Sequence, residues 1–246
     1  MSMSDATEQP RTQTDWVEQQ LRRSLLAGEF APDERLSPKD LSLRWNVSSS
    51  PLREAMNRLG AEGLLKIVPQ KGVRVAPISI DEMFQIYEVR LLVEPVALHR
   101  SVEQGTDQWL ERVQAAWECF RPLHEAPSPD MLHYEQAHEE FHTALISTCG
   151  SEWTIRTISN LARQSSRFRL LSERGGAAAV GDEHLDIFEA AQDGRAGDAA
   201  ALHTEHLLRT MESSDPASGL RLRDQFDSDC DAVAKRLDAR RSNQTS

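Results

Sequence analysis

The sequence of 246 residues has only three cysteines and no long apolar segment. The cysteines follow no recognisable spacing, which argues against a disulfide framework. No run of apolar residues approaches the roughly 18 that a membrane span needs, and the first residues lack the apolar core of a signal peptide. We therefore expect a soluble protein of the cytoplasm without structural disulfides.

Basic residues are also in short supply, but their distribution is uneven. The net charge is −11, and residues 78–246 carry 17 Lys and Arg against 29 Asp and Glu. Between Arg35 and Arg74 the balance is reversed, with eight basic residues against three acidic ones. A local basic face on an acidic chain is typical of a protein that contacts DNA phosphates.

The segment from Leu41 to Val75 has the pattern of two helices joined by a tight turn. Ser48 has the side chain of an N-cap and Pro51 falls in a first helical turn, so a second helix is predicted after a break at Asn46. The predicted apolar positions of the first helix are Leu41, Leu43, Trp45 and Val47. Those of the second recur at helical spacing and are Leu52, Ala55, Met56, Leu59 and Leu64. This is the helix-turn-helix plan.

Two short apolar runs, Leu65–Pro69 and Gly72–Pro77, follow and surround a Gln70-Lys71-Gly72 turn, which predicts a hairpin of two strands. A helix-turn-helix followed by a basic hairpin is a winged helix. The alternative is a small helical subdomain whose basic residues are merely solvated, and the local positive charge favours the DNA-binding interpretation.

The segment before the helix-turn-helix divides into a tail and one helix. Residues 1–14 are polar and are expected to be disordered. Asp15 is predicted to cap a helix that ends at Gly28, with a buried face formed by Trp16, Val17, Leu21, Leu25 and Leu26. A short linker at Ala76-Pro77-Ile78 closes the first domain, which spans residues 15–77.

The rest of the chain shows helical patterns only. The predicted segments are Ser79–Gln104, Thr106–Leu123, Asp130–Cys149, Glu152–Leu171, Asp182–Gln192 and Ala196–Met211. The predicted fold is therefore mostly α, with a winged helix-turn-helix and a small β wing followed by an all-α bundle over residues 78–214. Residues 215–246 form a C-terminal extension, which is either an added helix on the bundle or the partner subunit, or a tail.

Four of the eight histidines have a spacing that can bring them together. His138 and His142 lie four residues apart and share one helix face. His184 is in the first turn of a later helix, and His206 is near the far end of the next. Antiparallel packing of those helices would place four imidazoles around one divalent cation. Spacing alone leaves open that the histidines are solvated or singly hydrogen-bonded.

The first domain resembles the DNA-binding domain of the GntR family of transcriptional regulators. The resemblance is carried by Pro32–Leu36, Val47–Ala55, Leu59–Leu64 and Gly72. Many members have Arg after the capping Ser, where this chain has Ser49. The resemblance implies an operator interface in which Ser48, Ser49, Ser50 and Arg53 face the major groove or its phosphates. Lys39 and Arg44 would contact the backbone, and the minor groove would receive Gln70, Lys71 and Gly72.

Residues 80–212 resemble the FCD ligand-binding domain of the FadR branch of that family. The matching segments are Tyr87–Glu94, His138–His142, Glu183–Ile187 and Ala199–Leu207. Many FCD domains bind a divalent metal through one Asp and three His. The three His correspond to His142, His184 and His206, and His138 occupies the Asp position.

This substitution changes the expected metal. A set of four neutral imidazoles favours Zn²⁺, with Ni²⁺ as an alternative, over Mg²⁺ or Ca²⁺. If His138 does not act as a ligand, Glu135 or Glu139 is available to replace it, or the substitution abolishes metal binding.

The effectors of the family are small organic acids that bind with a carboxylate at or near the metal, so the resemblance implies a carboxylate or sugar-acid effector. A buried Arg can hold such an anion. Arg90 is the first candidate, followed by Arg163 and Arg167. The alternative role for Arg90 is an ion pair with Glu94, four residues further on.

The resulting hypothesis is a homodimeric DNA-binding regulator, a repressor, whose operator affinity is set by an organic acid at a metal site. Dimerisation follows from the target, because two heads related by twofold symmetry can read a pseudo-palindrome. One alternative is a metal-dependent enzyme of the helical-bundle type. The other is a regulator whose metal only stabilises the bundle.

Overall fold

The computed structural model describes residues 12–68, 71–77, 79–126, 129–171 and 183–244. The chain divides into two compact units, Met1–Ile78 and Ser79–Ser246. A three-stranded sheet lies in the first unit and the second is helical, which confirms the predicted fold class of a winged helix-turn-helix followed by an all-α bundle. Among the described residues, no helix combines the length and hydropathy that a membrane span requires.

The first unit contains three helices and three strands among its described residues. In chain order they are α1 (Gln13–Leu26), β1 (Arg35–Leu36), α2 (Pro38–Trp45), α3 (Ser49–Ala61), β2 (Leu65–Val68) and β3 (Gly72–Val75). Helix α1 packs on α3, and α2 and β2 also contact α3. The core between these elements is aliphatic and includes Val17, Leu21, Leu52, Met56 and Leu59.

Helix α1 begins earlier than the sequence suggested. Gln13 and Thr14, assigned to the disordered tail, are its first residues. The prediction that Asp15 caps this helix is wrong, because the Thr12 hydroxyl is the cap and accepts a hydrogen bond from the Asp15 N–H at 3.1 Å. Asp15 lies in the first turn instead, where its negative charge interacts favourably with the positive end of the helix dipole.

Two details of the helix-turn-helix also differ from the prediction. Leu43 is 73% exposed, because residues two apart lie on nearly opposite sides of a helix with 3.6 residues per turn. Ser48 occupies the N-cap of α3, but its hydroxyl makes no capping hydrogen bond. An N-cap side chain bonds the second or third N–H of the helix, and the third position is Pro51, which has none.

The wing is a sheet of three antiparallel strands in the order β1-β3-β2. The prediction of two strands missed β1, which is only two residues long and pairs Leu36 with Val73. The turn between β2 and β3 reaches Gly72, whose φ of +93° falls in a region that side chains rarely adopt.

The described helices of the second unit are α4 (Ile80–Glu103), α5 (Asp107–His124), α6 (Met131–Ile146), α7 (Glu152–Leu171), α8 (Glu183–Gln192), α9 (Ala196–Ser214) and α10 (Pro216–Gln244). Helix α4 contacts α6, α7, α9 and α10, so it lies at the centre of the bundle. The core next to it is rich in aromatic side chains, among them Trp117, Phe120, Phe141 and Phe188.

The C-terminal extension starts as a packed helix. Helix α10 contacts α4 and α9, and its Leu222 side chain is buried. The Arg223 guanidinium binds both Glu205 and Glu212 of α9 at 2.8 Å, and the Arg221 guanidinium lies 4.0 Å from the Phe84 ring of α4. This part of the extension is therefore a helix on the chain's own bundle.

Candidate metal centre and nucleic-acid interface

The N-terminal end of α3 presents a polar surface. Ser48, Ser49, Ser50 and Arg53 are all exposed, and Arg53 makes no ion pair with any described residue. Asn57 is exposed one turn further along the same face. Its amide can bond an adenine edge in the major groove. The sequence analysis overlooked Asn57, although its spacing of four from Arg53 was a usable signal.

The remaining predicted DNA-contacting residues differ in their exposure and in their ion pairs. Lys39 and Lys71 are exposed, and their ammonium groups make no ion pair within the described ranges. Arg44 is exposed but binds the Glu29 carboxylate at 2.7 Å, so a phosphate would have to compete with that pair. Gly72 begins β3, and Gln70 lies outside the described residues.

The wing aligns three cations of the basic segment across its strands, an arrangement that the sequence did not predict. Arg35 and Lys66 are the neighbours of Arg74 on the two flanking strands. Like charges on adjacent strands repel one another, and among the described residues Arg74 alone of the three has an acidic ion-pair partner, the Asp33 carboxylate at 3.6 Å. A polyanion such as the DNA backbone would relieve this repulsion.

The predicted histidine cluster forms inside the second unit. The ligand atoms of His138, His142, His184 and His206 all lie within 4.8 Å of one another. The Nε2 atom of His138 is 3.1 Å from Nε2 of both His142 and His184. These four form the one group able to hold a metal among the described residues of the chain. Glu135 and Glu139, the alternatives to His138, are not part of it.

The geometry of the cluster fits a transition metal. Zn–N bonds of about 2.0–2.1 Å at tetrahedral angles place nitrogen atoms about 3.3–3.4 Å apart, close to the observed 3.1 Å. Burial and the neighbouring imidazoles lower the pKa of His142 well below its ordinary value. A neutral imidazole is the form that binds a metal, so the cluster holds this side chain in a ligand-competent state.

A buried carboxylate orients one member of the cluster. The Nδ1 atom of His206 lies 3.1 Å from Glu183 Oε2, which leaves Nε2 of His206 to face the other rings. Glu183 also accepts a hydrogen bond from Arg209 at 2.8 Å. Burial raises the pKa of Glu183, and Arg209 opposes that rise. Metal-binding histidines commonly donate a hydrogen bond from their second ring nitrogen to a carboxylate, which fixes the orientation of the ring.

A second buried network lies beside the cluster and joins α4, α7 and α9. Arg90 donates to Glu94 at 2.6 Å and to Ser165 at 2.8 Å, so it forms the ion pair that the sequence left as an alternative. His203 Nε2 is 2.7 Å from the second Glu94 oxygen. Burial alone would raise the pKa of Glu94, but the charge of Arg90 and the contact with His203 bring it to about 2.

His203 was not among the site residues predicted from the sequence, yet it is 2% exposed and lies at this network. A cavity of about 20 Å³ is lined by Arg90, Glu94, His142 and His203, and it can hold about one water molecule. The Nδ1 atoms of His142 and His203 are buried and have no hydrogen-bond partner among the described residues.

The other two predicted effector-binding arginines are on α7. The Arg163 guanidinium binds Glu139 Oε1 of α6 at 3.1 Å, and the side chain of Arg167 lies outside the described part of the chain. Glu139 and Thr143 line both the interior cavity and a surface groove of about 640 Å³ along α5 and α6. The two spaces therefore share a wall.

Two family models match the chain. The model described as "Bacterial regulatory proteins, gntR family" matches residues 13–75, and the model described as "FCD domain" matches residues 85–209. The second match contains all four histidines of the cluster and the Arg90–Glu94 pair. It ends before α10.

Several curated proteins are similar over most of their length. The chain is 35% identical to the uncharacterized HTH-type transcriptional regulator BphR of Paraburkholderia xenovorans, over 87% of this chain and 89% of that protein. It is 29% identical to the transcriptional repressor GlaR of Escherichia coli, over 76% and 89%. It is 32% identical to the repressor RspR of Escherichia coli, over 78% and 85%.

Solved structures share the fold at low identity. A putative transcriptional regulator GntR from Rhodococcus sp. RHA1 aligns with a TM-score of 0.65 at 22% identity, over 82% of this chain and 96% of that one. Escherichia coli McbR/YncC aligns with a TM-score of 0.65 at 20% identity, over 87% and 99%.

Proposed function

Since the chain belongs to the GntR family of transcriptional regulators, in the group that carries an FCD domain, we propose that it is a cytoplasmic, homodimeric repressor controlled by a small organic acid. The acid binds at a divalent-metal site in the helical domain and changes operator affinity. The family and its relatives are regulators rather than enzymes, which removes the enzyme alternative. Two of the similar proteins are named as repressors.

The observation that supports a metal most directly is the convergence of four imidazoles in a buried site. His138, His142, His184 and His206 would hold the ion. Four neutral nitrogen donors favour Zn²⁺, or Ni²⁺, over the harder cations that prefer carboxylates. When bound, the ion supplies a Lewis-acidic point to which a carboxylate oxygen can bind.

The cavity beside the cluster supports the position of the acid. Arg90 supplies a buried cation, and the free ring nitrogens of His142 and His203 supply hydrogen-bonding groups. An organic acid is larger than a space of about 20 Å³, so its binding requires the helices around it to separate. A ligand that binds only the more open arrangement shifts the population toward it.

Helix α4 is the element that would transmit such a conformational change to the DNA-binding domain. It carries Arg90 and Glu94, and it begins at Ile80, five residues after the last strand of the wing. The groove along α5 and α6 offers the acid a route, with Glu139 and Thr143 at the shared wall. A carboxylate that approaches along it would compete with Glu139 for Arg163.

The small cavity also favours a second candidate, in which the metal only stabilises the bundle. With room for about one water molecule, the site needs no effector to be filled. In this version, metal binding raises stability and operator binding does not respond to acids.

A thermal-melt screen separates these candidates. The purified protein is melted against a panel of carboxylic and sugar acids, with and without a chelator. The proposal predicts that at least one acid raises the Tm and that chelation removes the effect. If chelation lowers the Tm but no acid of the panel changes it, the structural version is favoured. If neither has an effect, the metal site is refuted.

The Glu183 carboxylate gives a prediction about the metal alone. Glu183→Ala is expected to lower Zn²⁺ affinity about 10- to 100-fold, because His206 loses the partner that orients its ring. Competition with a chromophoric chelator measures the change. Glu205→Ala is the matched control, since Glu205 binds the same Arg209, whereas the carboxylate bonded to His206 Nδ1 is that of Glu183. Equal losses in both variants would contradict the role of Glu183.

A further inference from the structure

His142 is a member of the cluster whose second ring nitrogen lacks a direct support. Its Nε2 atom lies 3.1 Å from His138, whereas its Nδ1 atom is buried and has no hydrogen-bond partner among the described residues. A histidine that binds a metal through one nitrogen almost always donates from the other to a carboxylate, a carbonyl or a water molecule. His206 does so through Glu183, so His142 requires an acceptor of another kind.

His203 presents a suitable acceptor. Its Nε2 atom lies 2.7 Å from Glu94 Oε2. Burial alone would raise the pKa of Glu94, but the charge of Arg90 brings it to about 2, so Glu94 is a carboxylate at neutral pH. A carboxylate only accepts hydrogen bonds, and the proton between the two groups therefore belongs to Nε2 of His203. In the neutral ring, Nδ1 is then left as an acceptor.

The charge balance of this network favours the neutral ring of His203. Arg90 donates to Glu94 at 2.6 Å, so one positive and one negative charge are already paired in the buried site. A proton added to His203 would leave a positive charge unpaired in the interior, which is energetically costly. Binding a metal through Nε2 leaves the proton of the neutral His142 ring on Nδ1. His142 is then a donor and His203 an acceptor.

The two histidines line one small cavity. Its volume of about 20 Å³ is enough for one water molecule. The ring centres of His142 and His203 are 5.3 Å apart, a separation that one oxygen atom can bridge through two hydrogen bonds of about 2.8–3.0 Å. The Nδ1 atom of His203 is also buried without a hydrogen-bond partner in the described ranges. A single water molecule would satisfy both orphaned nitrogens.

We propose that His203 is a positioning residue for the metal centre and that it holds the ring of His142 through one water molecule between the two Nδ1 atoms. This inference rests on the metal site of the proposed function. Glu94 orients His203, so the relay runs from a carboxylate on α4 through α9 to a metal ligand on α6. Glu183 supports His206 in the same way, but directly.

The relay links the metal site to the response to an acid. An acid that enters the cavity displaces the water molecule and takes its place as the partner of His142. The support of a metal ligand, and with it the metal affinity, is thereby coupled to the position of α4, which carries Arg90 and Glu94.

The first test compares the Zn²⁺ affinity of two variants by competition with a chromophoric chelator. His203→Leu removes the acceptor and is expected to lower the affinity at least tenfold, as is typical when an outer-shell partner is lost. His203→Gln keeps both an N–H donor and an acceptor oxygen, so its affinity should stay within about threefold of the wild type. The metal-free Tm of each variant shows whether the bundle still folds.

The second test uses the wild type and does not depend on the folding of a variant. A high-resolution crystal structure of the Zn²⁺-loaded protein is expected to show one ordered water molecule within hydrogen-bond distance of Nδ1 of both His142 and His203. Long-range ¹H–¹⁵N NMR spectra of the same protein identify the protonated nitrogen of each ring. They should show the proton on Nδ1 of His142 and on Nε2 of His203.

The outcomes separate this inference from the proposed function. If the wild type binds Zn²⁺ but both His203 variants bind it equally tightly, or if no water molecule lies between the rings, the relay is refuted and the metal site stands. Equal losses in His203→Leu and His203→Gln would also refute it, because they would assign His203 a packing role. If the wild type binds no Zn²⁺, the relay and the metal part of the proposed function both fail.

Discussion

Replacing His142 and His206 together with Ala is expected to lower Zn²⁺ affinity at least 1,000-fold. The binding free energy of Zn²⁺ at a four-ligand protein site is about 10–16 kcal/mol. Removing half of the ligands is therefore expected to weaken binding by several kcal/mol. The expected loss exceeds the 10- to 100-fold that follows removal of an outer-shell partner. Isothermal titration of the metal-free protein measures it.

The control for this variant is the double substitution of His99 and His133. Their side chains are 43% and 46% exposed, and within the described residues they pair with Glu103 and Asp130, so zinc affinity should not change. The metal-free Tm of both double variants shows whether the bundle still folds. A His142 and His206 variant that binds one Zn²⁺ as tightly as the wild type would refute the four-histidine centre.

Arg53→Ala is expected to weaken operator binding by well over tenfold. Arg53 is exposed near the start of α3 with no ion partner among the described residues, and its loss would remove one contact from each head of the proposed dimer. If Arg53 binds a phosphate, the slope of log affinity against log salt should fall by about one for each lost contact. Fluorescence anisotropy with a selected duplex at several salt concentrations measures both quantities.

Arg58 provides the matched control on the same helix. It is also exposed, but its guanidinium binds Asp15, Glu18 and Glu54 at 2.7–3.3 Å. Arg58→Ala should therefore leave operator affinity within about twofold and leave the domain folded, because exposed ion pairs contribute little to stability. A larger loss of DNA binding in Arg58→Ala than in Arg53→Ala would contradict the prediction that Arg53, and not Arg58, contacts the DNA.

The sequence predicted those features that depend on periodicity and short connections. His184 and His206 lie eight and ten residues from the ends of α8 and α9 that meet at the turn around Gly194. With a rise of 1.5 Å per residue in each helix, antiparallel packing brings both rings to a similar height. The pair at His138 and His142 shares a face for the same local reason.

Features that depend on distant partners were missed. His203 contacts Glu94 across 109 residues, and no local pattern signals that pairing. Strand β1 has two residues, too few for an alternating pattern to be recognised. Ser48 occupies the predicted N-cap position, but the expected capping hydrogen bond is not made, and the third N–H of the helix is absent at Pro51, a detail that depends on the register of the helix start.

The four-histidine set and the Arg90 network explain why the acid and the metal are proposed to act together. His142 belongs to the cluster through Nε2 and lines the neighbouring cavity with His203 and Arg90. A ligand in that cavity would therefore touch α4, α6 and α9 at once. Coupling between two sites requires such a shared element with two arrangements.

The most direct test of the central claim is operator affinity as a joint function of metal and acid. Zn²⁺-loaded protein is titrated onto a duplex selected from a random pool, with and without the acid that raises the Tm. The account predicts that the acid weakens binding at least tenfold for the wild type and has no effect on the His142 and His206 double variant. Release of DNA from both proteins alike, or from neither, would contradict it.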